Sequence, residues 1–136
     1  MAIDKSLRLV IVTPERTILD EAVQQLRFPL FDGDIGVLPG RLPLIGRLGA
    51  GELKVKILAG EERHFFIDGG FTQINKGTVT LLTQRAVPVD QISAAAAEAE
   101  LKAAKEQAAK SDEEFDRKAA ALHRARKLLK LSRTAH

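Results

Sequence analysis

A chain of 136 residues with 45% hydrophobic side chains has room for one packed core and a small appendage, and it is too apolar to be disordered throughout. It contains no cysteine, which excludes disulfides and thiolate metal sites. The net charge is a mild +3, but no acid follows Asp116, so the C-terminal end is basic.

The first segment, "MAIDKSLRLVIV", carries Asp4 and moves directly into an apolar strand pattern. That argues against a signal or transit peptide. No apolar run approaches the roughly 20 residues that span a bilayer. A soluble protein is expected, reaching a membrane only indirectly, through partners.

Up to Val87 the pattern is that of strands. Leu7–Val12 is short and strongly apolar. Ala22–Phe31 is longer, and Pro29 within it predicts an edge or a bulge. "GDIGVLPGRLPL" (Gly33–Leu44) reads as a turn-rich loop. Glu52–Leu58 alternates cleanly between Leu53, Val55, Ile57 and Lys54, Lys56. Arg63–Asp68, Gly70–Asn75 and Thr78–Val87 follow, separated by the turn signals "DGG" and "NKG". Many short strands with tight turns, and no β–α–β alternation, predict a sandwich rather than a Rossmann-like sheet.

From Asp90 the pattern becomes helical and alanine-rich, with Asp90 or Ser93 as N-cap. A second helix restarts at Ser111, with Glu114 in capping-box spacing. Phe115, Ala119, Leu122 and Leu129 predict one apolar stripe along it. The fold class is therefore α+β: an antiparallel β-sandwich over residues 1–87, then an antiparallel two-helix hairpin over 88–136. The bend near Lys110–Ser111 contains neither Gly nor Pro. The hairpin could straighten into one helix on the order of 60 Å long. Between Ile92 and Phe115 only Leu101 is large and apolar, so the hairpin's docking is thinly supported.

Reaction chemistry is missing. There is no GxxxxGK[ST], no GxSxG and no metal-ligand spacing. His64, His123 and His136 read as solvated, and "GAGELK" reads as a turn before a strand. The carboxylate pairs Asp32/Asp34 and Glu61/Glu62 read as solvated turn acids. A non-catalytic binding or regulatory subunit is expected, with no metal and no cofactor.

The order "IVTPERTILDEAV", "FDGDIGVLPGRLPLIGRLGAGELKV", "IDGGFTQINKGTVTLLTQRAV" and an alanine-rich helix pair resembles the epsilon subunit of bacterial and chloroplast F-type ATP synthases. The most specific parts are Gly33, Gly36, Pro39 and Gly40, followed by Pro43, and the turn Gly69, Gly70, Phe71. The resemblance implies a central-stalk rotor subunit that couples proton flow to ATP synthesis. Its sandwich would bind the gamma subunit and sit on the c-ring, and its helices would reach the alpha/beta catalytic head and inhibit hydrolysis. It would sit on the cytoplasmic face of the bacterial inner membrane, or the stromal face of the thylakoid if plastid-encoded. Asp34 stands where relatives carry an acid that touches the c-ring, and Arg41 stands where they commonly carry histidine. Asp32, Asp34 and Arg41 are thus the candidates for the c-ring and gamma interface. Arg117, Lys118, Arg124, Arg126, Lys127 and Lys130 are the candidates for contact with an acidic segment of the beta subunit. Some relatives bind ATP through I-D-x-x-R-A. Here Ser93 and Ala96 replace the acid and the arginine, so ATP binding is expected to be weak or absent.

The alternative is a free-standing basic module that binds nucleic acid through its tail. It is disfavoured because single-strand binders usually offer stacked aromatics, and the helical region has only Phe115.

Overall fold

The computed structural model describes residues 6–41 and 43–134; Asp4 and His136 lie outside the described residues. The chain divides into two compact units, Met1–Ala86 and Val87–His136.

The first unit holds strands β1 (Leu7–Val12), β2 (Thr17–Leu30), β3 (Gly33–Val37), β4 (Leu44–Ile57), β5 (Glu62–Asn75) and β6 (Thr78–Leu82). A short β7 (Ala86–Pro88) pairs with β5. The strand order is β1-β6-β5-β4-β2-β3, and β1 also pairs with β2. Strands β1, β6, β5, β4 and β2 therefore form a closed circuit, and β3 is added outside it on β2. Closure removes the exposed strand edges that an open sheet would leave. All pairings with an assigned register are antiparallel except β1 with β6, which run parallel. The sandwich is thus barrel-like, closed by the parallel β1–β6 pair.

Alternation sends one side of each strand inward. Leu7, Leu9 and Ile11 of β1 are buried, as are Leu53, Val55 and Ile57 of β4 and Val79 and Leu81 of β6. With Val23, Phe28, Ile67 and Ile74 they form one hydrophobic cluster.

Several strand limits differ from the sequence expectation. Gly33–Val37 is a strand, β3, paired with Leu26–Leu30, so only Phe31 and Asp32 turn the chain. The stretch "LIGRLGAG" is the first half of β4 rather than a turn. "DGG" is not a turn either. Gly69 and Gly70 take φ of 68° and 106° within the uninterrupted β5. A Cβ on Gly70 would run into the Leu82 carbonyl oxygen, so both the conformation and the close approach require glycine. Pro29 falls where the β2–β4 register shifts, as expected of a bulge.

The second unit begins with a 3₁₀ turn at Val89–Gln91 that holds Asp90, so Asp90 is not the helix cap. Helix α1 runs Ala94–Glu106, and Ser93 caps it: the Ala96 N–H donates to Ser93 Oγ at 3.2 Å. Helix α2 runs Asp112–Thr134. Arg133 near its end lies 3.9 Å from Glu98 near the start of α1, so the pair is antiparallel. Ala97 and Ala104 are the buried residues of α1. On α2 the buried residues are Ala125, Leu128, Leu129, Leu131 and Ser132, with Leu122 half-buried. Phe115 and Ala119 are exposed, so the stripe expected through them is correct only in its later part. A 3.6-residue period carried back from Ala125 and Leu129 passes through Ala121 and Lys118 instead.

Candidate partner-docking site

The outer face of the closed circuit is of two kinds. Along the first half of β4 and the second half of β5, large apolar side chains stand outward among polar ones. Arg47 pairs with Phe71, Phe71 with Leu82, and Leu82 with Val12, a row across four strands. The next row is Ile45, Gln73, Thr80 and Val10. Ile45 is 78% exposed, Phe71 59% and Leu82 51%. Phe31 extends the first row: its N–H donates to the Arg47 carbonyl, its ring is 68% exposed, and the Arg47 guanidinium sits 4.3 Å from the ring centroid. Large apolar groups in adjacent strand positions make a contiguous patch, which marks an interaction surface where scattered exposed residues would not.

The other halves of β4 and β5 carry charge. His64 Nδ1 lies 3.1 Å from Glu52 Oε2 and Lys54 lies 3.6 Å from Glu52, whereas Arg63, 3.2 Å from Glu21, stands opposite Val55 and belongs with Glu21, opposite Leu9, to the inward side. The outward charges pair with one another. Across the β1–β2 border of the apolar rows, Arg8 makes two 2.7 Å bonds to Asp20. The bonds from Arg8 hold the Asp20 carboxyl below the usual carboxylate range, and the guanidinium is raised in turn.

The expected loop residues occupy one hairpin and the turn beyond it. Asp32 is exposed in the turn between β2 and β3. Asp34 lies on β3, not in a loop; its exposed carboxylate is 3.8 Å from Arg27. Arg41 is exposed after a turn closed by its own N–H to the Leu38 carbonyl, and Leu38 is exposed beside it. Of the helix cations, Arg117, Arg126, Lys127 and Lys130 are exposed. Lys118 and Arg124 are half-buried, because helical spacing puts them beside Ala121 and Ala125, and their long stems accommodate that.

Ile45, Phe31 and Leu82 were not foreseen as contact residues, and Phe71 was noted only for its place in a motif. The signal existed in the alternation of Phe71 and Gln73 against Thr72 and Ile74. It could not be used without knowing which side of the strand faced inward. Among the described residues no cluster of His, Asp and Glu is placed to hold a metal, and no helix is long and apolar enough to cross a membrane.

Residues 6–89 match the sequence model of the ATP synthase delta/epsilon chain β-sandwich domain. The chain is 44% identical to the ATP synthase epsilon chain of Rhodopirellula baltica, over 94% of this chain and 99% of that one. It is 33% identical to the sodium ion specific ATP synthase epsilon chain of Propionigenium modestum, over 82% and 80% respectively. It superimposes on a chain of the Euglena gracilis mitochondrial ATP synthase OSCP/F1/c-ring structure with a TM-score of 0.80 and 25% identity, covering 94% of this chain and 82% of that one. A chain of the Tetrahymena thermophila mitochondrial ATP synthase central stalk/c-ring structure shares the fold, with a TM-score of 0.74 at 11% identity and coverage of 96% and 99%. The closed β-sandwich, the helical hairpin and these matches together place the chain in the ATP synthase epsilon chain family.

Proposed function

We propose that the apolar face of the sandwich binds the gamma subunit, that the β2–β3 hairpin and the turn beyond it meet the c-ring, and that the helical hairpin restrains ATP hydrolysis. As an epsilon chain, the protein is a non-catalytic subunit of the central stalk, the rotor of the F-type ATP synthase. Its partners are the gamma subunit, the c-ring and the catalytic head, and it is peripheral to the membrane-bound complex. Its place on the cytoplasmic face belongs to the proposal.

The observation that carries the docking assignment is the contiguous row Phe31, Arg47, Phe71, Leu82. Burying two such side chains stabilises a complex by about 1.5–3 kcal/mol each. Asp32, Asp34, Arg41 and exposed Leu38 supply a mixed polar and apolar tip for the second contact. The exposed cations Arg117, Arg126, Lys127 and Lys130 fit an acidic partner segment. Single exposed pairs contribute at most about 1 kcal/mol, so several act together, joined by Lys118 and Arg124 when the helices rearrange.

The test is a Phe71→Ser, Leu82→Ser double variant. Both side chains are exposed, so the melting temperature should stay within a few degrees of wild type. Affinity for the gamma subunit should fall at least tenfold by titration calorimetry. Unchanged affinity would reassign the gamma contact to another face.

A further inference from the structure

The break between α1 and α2 spans 107–111 and reads Gln-Ala-Ala-Lys-Ser. Each of these residues is tolerated inside a helix, so intrinsic propensity alone would continue α1 into α2. The chain instead leaves the helix at Gln107, whose ψ is 127°. Two side-chain bonds belong to the restart. The Glu114 N–H donates to Ser111 Oγ at 3.2 Å, and the Lys110 N–H donates to a Glu114 carboxylate oxygen at 2.6 Å. In one continuous helix these amides would bond the carbonyls of Lys110 and Glu106, four residues earlier, and neither side chain would be needed.

The charges agree with two helix ends rather than one rod. Lys105 lies in the last turn of α1, and Asp112, Glu113 and Glu114 lie in the first turn of α2. Each favours the dipole of its own terminus, and that gain disappears if the termini merge. On the α1 side the bend is thinly packed, since α1 buries only Ala97 and Ala104; the larger buried side chains, Leu128, Leu129 and Leu131, lie on α2.

We propose that Ser111 and Glu114 form a capping latch that selects the bent hairpin over a single continuous helix. The latch sets how often the arm extends, and it rests on the reading of α1 and α2 as a restraining arm. Loss of one such cap shifts a helix-end equilibrium about fivefold.

The chain has no cysteine, so spin labels at Ala95→Cys and Lys130→Cys, both exposed positions, report only the hairpin. Neighbouring antiparallel helices place these labels about 10–20 Å apart. A continuous helix separates them by on the order of 50 Å. In the full-length labelled chain, Ser111→Ala should raise the ratio of long to short distances about fivefold. Ser111→Ala with Glu114→Ala should raise it further, and Ser111→Asn, which restores a cap, should return it to the wild-type ratio. An unchanged ratio in both alanine variants overturns the latch, whatever happens to hydrolysis. If the double variant loses helical circular dichroism, the comparison of Ser111→Ala with Ser111→Asn decides. A shifted ratio, with hydrolysis unchanged when the unlabelled Ser111→Ala chain, which keeps Lys130, is reconstituted, leaves the latch standing and removes the inhibitory reading instead.

Discussion

Single residues in this chain act mainly through where the backbone places them. Asp34 has the same carboxylate wherever it sits, but β3 fixes it beside Arg27 and opposite Pro29. Gly70 is recognisable in a "GG" pair, yet its requirement comes from β6, whose Leu82 carbonyl leaves no space for a Cβ. The Arg8–Asp20 pair has a consequence in pH. Because Asp20 is held below the ordinary carboxylate range, it adds stability that is present above the unfolded value and lost as pH falls through the folded value. Asp20→Asn should therefore lower stability at neutral pH, and the deficit should begin to shrink as pH falls below about 4 and vanish only below the folded value. Urea midpoints measured from pH 7 down to pH 3 check this; a deficit constant across that range would mean that the pair's charge is not what matters.

At the scale of elements, helix α1 is the informative case. Its N-terminus is closed by Ser93, the residue that the sequence reading set in place of an acid. A serine already bonding the Ala96 amide is engaged as a cap, and Ala96 offers no side-chain donor to a phosphate. Millimolar or weaker affinity for ATP is expected by equilibrium dialysis of the full chain. A micromolar dissociation constant would show that other residues have replaced the pattern. In α2 the same reasoning sorts the cations. Helical spacing leaves Arg126, Lys127 and Lys130 exposed and draws Arg124 beside Ala125, a distinction that a list of basic residues does not contain.

For the whole molecule, the division at Ala86 and Val87 separates two compact units. The first unit has its own core and a closed strand circuit, so it should fold alone. A chain ending at residue 87 is expected to bind gamma with wild-type affinity while hydrolysis by the reconstituted enzyme rises severalfold. Neutralising Arg126 and Lys127 in the full chain should give part of that rise without changing the melting temperature. Unchanged hydrolysis in the truncated assembly would leave the hairpin without an inhibitory role.

The sequence by itself determined the class of fold, the switch from strands to helices near Val87, the Ser111–Glu114 restart and the absence of a recognisable reaction motif. These follow from local periodicity and from spacings within one helical turn, which need no knowledge of distant chain. Family membership was also legible, because it rests on ordered motifs. Only the tertiary structure decided that "GDIGV" is a strand, that β4 and β5 run unbroken through their glycines, and that β1 pairs parallel with β6. It also decided which side of β4, β5 and β6 meets solvent, and so brought Ile45, Phe71 and Leu82 onto one surface with Phe31. Strand pairing is a contact between segments remote in sequence, and a shift of one residue exchanges the buried face for the exposed one. No local pattern can settle that choice, and it is the choice that makes the exposed apolar face.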